Sequence, residues 1–141
     1  MITSAKLEET VVVTEEIDSI QMMAIVTTGA GPDKSSVSEM NSSINMMVFI
    51  DAYFTDRALM DSYMYGTEAK VKALKDLKDL NIVDSTTGTS TDTLMIGLTQ
   101  QGTKQAFIGC GTSVEKGIRK IVYRAIKEVL QKDREKVQSK G

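Results

Sequence analysis

The sequence predicts an α/β protein of the α+β kind, with a mixed, mainly antiparallel sheet and two long helices packed on it. Three observations lead there. Runs rich in β-branched residues are separated by short polar breaks, which favours hairpins over long crossovers. Two long stretches carry apolar residues at helical spacing. Each of these follows a pair of strand-like runs, so the order reads β-β-β-α-(β)-β-β-α rather than a Rossmann arrangement.

The elements follow in order. "ETVVVTEEI" predicts a strand over Glu9 to Ile17, and "QMMAIVTTG" a buried strand ending at Gly29. "AGPDKSSVSEMNSS" holds Pro32, the only proline, among many serines, and reads as a loop. "INMMVFIDAYF" is a continuous apolar run, the expected central strand from Ile44 to about Ala52. Thr55 can cap the first helix, with Asp56 in its first turn. Leu59, Tyr63, Gly66, Lys70, Ala73, Leu77 and Leu80 mark one helical face. "NIVDS" is a short edge or return segment. "TLMIGLTQ", a "QG" turn and "QAFIGC" predict a hairpin. Thr112 opens the last helix with Glu115 three residues on, a capping-box pattern. Val114, Ile118, Val122, Ala125 and Val129 form its apolar face.

A chain of 141 residues fits one domain, 1–141. Net charge is −2, without the basic excess that nucleic-acid binding needs. No apolar run approaches the ~18 residues of a membrane span, and no signal-peptide pattern opens the chain. Cys110 is the only cysteine, so no internal disulfide forms, which suits a cytoplasmic setting. Histidine is absent. That removes Ser-His-Asp triads and the usual zinc sites, and no metal or other cofactor is expected. Catalysis would then rest on carboxylates, lysine, hydroxyls and backbone N–H groups.

Those groups cluster in three places. "TTGTSTDT", Thr86 to Thr93, brings hydroxyls, Gly88 and Asp92 to the mouth of a strand. Gly88 permits a tight turn whose N–H groups suit an oxyanion, carboxylate or phosphate, and Asp92 can position water. An Asx/ST turn that merely starts a strand is the plain alternative. "GCGTS" adds N–H groups in front of a helix N-terminus. Lys70 falls on the helix stripe beside Gly66, Ala69 and Ala73. There it either snorkels, or binds an anion, orients a carboxamide, or serves as a base of lowered pKa. Glu68, two residues away, points elsewhere on the helix. Met22, Met23, Met46, Met47 and Met95 sit in strand runs. They read mainly as core, with an adaptable wall for a large flat ligand as the alternative.

Four phrases in order resemble the adenosylcobinamide amidohydrolases, a corrinoid-salvage family. They are Ile44-Asn45 in the central strand, Glu68-Ala69-Lys70 on the helix, Thr87-Gly88-Thr89-Ser90-Thr91-Asp92 before the strand, and Gly111-Thr112 before the last helix. The likeness covers Thr3 to about Leu130. Ser42-Ser43 stands where the family has Gly-Thr. A further N-terminal family segment has no counterpart, so the chain is expected to match the C-terminal two-thirds of the pattern. The resemblance implies hydrolysis of the amide joining the aminopropanol arm to the corrin ring, giving adenosylcobyric acid. It implies a corrinoid small-molecule substrate, with Glu68, Lys70 and Asp92 as catalytic residues. Asn45, Thr87, Gly88, Thr89, Thr91, Gly111 and Thr112 would bind substrate. Two other classes remain open: a small-ligand binding module without chemistry, and an assembly protein, in which a homo-oligomer completes the cleft.

Overall fold

The computed structural model describes residues 10–30, 42–80 and 92–139. β1 (Val11–Ile17) alternates buried Val11 and Val13 with exposed Val12 and Thr14, as a strand with one covered face must. Asp18 (φ 49°) and Ser19 (φ 67°) both take left-handed backbone, as the tight type I′ hairpin turn requires. β2 (Ile20–Ala30) returns antiparallel, and β3 (Ser42–Ile50) pairs antiparallel with β2, Asn45 opposite Thr27. After the two-residue β4 (Tyr53–Phe54), α1 (Asp56–Asp79) carries the chain back. β5 (Thr93–Leu98) then runs parallel to β3 with Thr93 opposite Asn45. The four-stranded order is β1-β2-β3-β5: mainly antiparallel, with one parallel pair that needs the α1 crossover. β6 (Lys104–Gln105) pairs parallel with β4, and α2 (Ser113–Ser139) closes the order.

Both helices pack on one face of the sheet. Met46, Val48 and Ile50 of β3 and Ala24 and Val26 of β2 join Leu74 and Leu77 of α1 and Ile118, Ile121 and Ile126 of α2 in one core. Thr55 caps α1 as expected, its hydroxyl accepting the Ala58 N–H at 3.2 Å. The buried stripe of α1 is rotated from the predicted one. Ala58, Ser62, Tyr65, Gly66, Ala69, Ala73, Leu74 and Leu77 are buried, whereas Leu59, Tyr63 and Lys70 are half-buried and Leu80 is exposed. The helix meets α2 as well as β5, so its small residues, which admit the closest neighbours, set the buried line. At Gly66 an added Cβ would sit 3.2 Å from the Leu94 side chain.

The predicted hairpin after β5 does not form. β5 ends at Leu98, and the Gln100 side chain bonds both the N–H and the carbonyl of Phe54. The following run is tied to the start of α1 instead. The Thr55 N–H reaches the Gln105 carbonyl, the Thr55 hydroxyl donates to the Ala106 carbonyl, the Ile108 N–H reaches Asp61, and the Tyr65 hydroxyl donates to the Ile108 carbonyl. Side chains of α1 therefore satisfy the backbone groups a hairpin would have used. Tyr63 accepts the Ile96 N–H on β5 at 3.3 Å. The "NIVDS" segment lies outside the described residues.

Leu74 has no exposed surface. Leu74→Ala is expected to cost about 2–5 kcal/mol, read from denaturant midpoints. Tyr123 of α2 donates its hydroxyl proton to Asp76 of α1, and this bond, with burial adding to it, raises the phenol's pKa above the usual 10.0. Because the folded value is the higher one, the stabilisation is complete below pH 10.0 and lost as pH rises through the raised pKa. The stability gap between wild type and Tyr123→Phe should be constant at neutral pH and narrow only on the alkaline side.

Candidate active site

The sequence-predicted residues fall into two groups on opposite sides of α1. The first lies at the N-terminal ends of β3 and β5. Asp92, the last residue before β5, takes the Ile44 N–H on Oδ1 at 2.9 Å and the Lys70 ammonium on Oδ2 at 3.3 Å. The side chains of Lys70 and Asp92 are only 12% and 8% exposed, so this is a nearly buried ion pair rather than a snorkelling lysine. Three elements meet at one carboxylate: the start of β5, the backbone of β3 and the middle of α1.

Asn45 stands one residue along β3 from Ile44. Period-two alternation turns it to the sheet face away from the helices. It is buried and accepts the Thr93 hydroxyl at 2.9 Å. Lys70 and Asn45 thus share an end of the sheet but not a face. Thr93 was not among the expected site residues. The signal for it was its place directly after Asp92, where alternation puts it on the Asn45 side. Thr87, Gly88, Thr89 and Thr91 lie outside the described residues.

Glu68 belongs to the second group. Two residues along a helix is a rotation of about 200°, and Glu68 accordingly faces α2, where its half-exposed carboxylate meets Arg119. Arg119 also holds Glu115 at 2.6 Å and stacks on the Tyr65 ring, 4.9 Å to its centre. The hydrogen bond to Glu115, first, and that to Glu68 raise the Arg119 pKa, while burial, first, raises that of Tyr65. Gly111 (φ 88°) turns the chain into α2, and Thr112 caps the helix, accepting the Glu115 N–H at 3.3 Å. The capping box is only half made. Glu115 turns its carboxylate to Arg119 and to within 4.0 Å of Cys110, and the Thr112 N–H goes to the Gly109 carbonyl. Cys110 is exposed. Arg119 was missed because an i,i+4 partner of Glu115 looks like an ordinary solvated helix pair.

The first group has the components for acyl chemistry: a cation held in place, a carboxylate beside it, and a neighbouring carboxamide. Among the described residues no His, Cys, Asp and Glu set is placed to hold a metal ion, and no helix is long and apolar enough to cross a membrane. If Lys70 and Asp92 act as one unit, Lys70→Met and Asp92→Asn will couple by about 0.5–3 kcal/mol in a double-mutant stability cycle. Additive effects would mean that the pair does not form in solution.

No curated protein and no solved structure matches the chain. A family profile, described as adenosylcobinamide amidohydrolase, matches residues 1–138. That is essentially the whole chain, a longer match than the Thr3–Leu130 span expected from its motifs. With the motif residues Asn45, Lys70 and Asp92 gathered at one end of the sheet, and the match running nearly end to end, the chain belongs to the adenosylcobinamide amidohydrolase family.

Proposed function

We propose that this protein hydrolyses the amide linking the aminopropanol arm to the corrin ring of adenosylcobinamide, releasing aminopropanol and adenosylcobyric acid. The observation that carries the reading is the Lys70–Asp92 pair at the mouth of β5, next in sequence to the Thr87–Thr91 stretch. Family membership supplies the reaction class.

Lys70 is the group suited to the developing negative charge. One of the three ammonium donors meets Asp92, and a fixed cation with little access to water stabilises an oxyanion strongly. Water adds to the amide carbonyl, and its proton passes to the Asp92 carboxylate. Collapse of the tetrahedral intermediate breaks the C–N bond. The amine takes up the proton and leaves, and the corrin arm keeps the new carboxylate. Thr87, Gly88, Thr89 and Thr91 are assigned to the reacting carbonyl, and Asn45 to the amide next to it. Glu68, turned toward Arg119, is assigned a supporting part with Gly111 and Thr112 at the start of α2.

The test is release of aminopropanol from adenosylcobinamide by the purified chain. Lys70→Met and Asp92→Asn are expected to lower kcat by about 10²–10³-fold while far-UV circular dichroism stays unchanged, with Glu68→Gln less affected. Wild-type turnover in both of the first two variants would overturn the assignment. Thermal stabilisation by adenosylcobinamide with no amine released would make the chain a binding module instead.

A further inference from the structure

The face of the sheet turned away from the helices is organised in cross-strand rungs. The first is polar: Thr27, Asn45 and Thr93 lie side by side across β2, β3 and β5. The Thr27 hydroxyl in this rung is buried and, among the described residues, has no hydrogen-bond partner. The second is wholly apolar, running Val12, Ile25, Met47, Met95 across all four strands. In the third, Met23 and Phe49 lie between Thr14 and Gly97. A Cβ on Gly97 would come within 2.7 Å of the Phe49 ring, so the glycine lets that ring lie down as a flat floor. Beyond it an open groove of about 830 Å³ is rimmed by Glu16, Gln21, Asp51 and Thr99, and among the described residues no lysine or arginine lines it. Val12 and Met95 are 55% and 39% exposed, and among the described residues no helix covers this face.

We infer that this outer face is the binding platform for the corrin ring, with the ring on the two apolar rungs, its cationic centre toward Glu16 and Asp51, and the scissile arm crossing the Asn45–Thr93 rung toward Asp92. The inference rests on the proposed reaction. Three features match this ligand and not a generic apolar partner. Adenosylcobinamide carries a net positive charge, and Glu16 and Asp51 present acids with no base among them. Its ring is broad and flat, and methionines around a recumbent Phe49 form an adaptable apolar surface. Its rim bears carboxamides, which the exposed Thr14, Gln21 and Thr99 can bond. The spacing also fits. The first and third rungs are four residues apart on β3, about 13 Å, so a ring centred between the apolar rungs sits one side arm from the first.

Equilibrium dialysis of adenosylcobinamide against Met95→Lys and Glu16→Lys tests the platform, with Met60→Lys on the exposed side of α1 as a control for added charge. Both platform variants should raise Kd about tenfold, with the larger loss in KM rather than kcat, while Met60→Lys binds as wild type. Lys70→Met should show the opposite pattern, losing kcat and keeping Kd. Unchanged Kd in both platform variants, with wild-type amine release intact, would put the ring elsewhere and overturn the inference while the reaction stands. Retention of the corrinoid by wild type without hydrolysis would overturn the reaction alone. A changed sedimentation mass in Met95→Lys at unchanged affinity would give the face to a second copy of the chain, and the inference would fail.

Discussion

The Asp92 carboxylate is the point on which the arrangement turns. β3 and β5 run parallel, and a parallel pair cannot be closed by a tight turn. Its register depends on how the α1 crossover is anchored at both ends. Asp92 supplies that anchor where β5 begins, tying the backbone of β3 through Ile44 and the body of α1 through Lys70. An ion pair this far from solvent contributes little net stability by itself, but leaving either partner alone is costly. The pair therefore acts as a constraint on geometry. It fixes where the lysine sits relative to the strand mouth, which is what an electrostatic catalyst requires.

α1 separates two polar systems. On its β5 side is the Lys70–Asp92 pair. On its α2 side, Glu68, Arg119, Glu115 and Tyr65 form a closed network in which the arginine joins two carboxylates and covers an aromatic ring. Tyr65 also reaches the Ile108 carbonyl, and Asp61 reaches the Ile108 N–H, so the approach to α2 is bound to the same helix. The second network joins α1, the segment before α2 and α2 itself. Its one guanidinium is shared between two carboxylates and an aromatic ring, which suits a structural junction.

The sheet is equally two-sided. Its inner face is a conventional core under both helices. The outer face has an ordered change of character along the strands, from hydroxyl and carboxamide, through methionine and phenylalanine, to an acidic rim. The methionines divide accordingly: Met22 and Met46 lie in the core, while Met23, Met47 and Met95 belong to the outer face. Adjacent methionines in sequence, Met22-Met23 and Met46-Met47, thus do different work, because neighbours in a strand point to opposite sides.

By itself the sequence determined whatever depends on local period and local chemistry. The β-branched runs became β1 to β3, the Thr55 and Thr112 hydroxyls capped their helices, and the family motifs stood in recognisable order. Lys70 was conspicuous because a charge in an otherwise apolar or small stripe needs a partner. Only the tertiary structure decided the partners. It paired β5 with β3 and formed no hairpin, because Gln100 bonded the Phe54 backbone and the side chains of Thr55 and Asp61 took up backbone groups of the next run. It rotated the buried line of α1, because a helix between a strand and a second helix buries what both neighbours touch. It sent Glu68 to Arg119 and Lys70 to Asp92, although only Ala69 separates the two residues in the motif. Helical rotation was visible in the sequence, but which element would occupy each side of the helix was not.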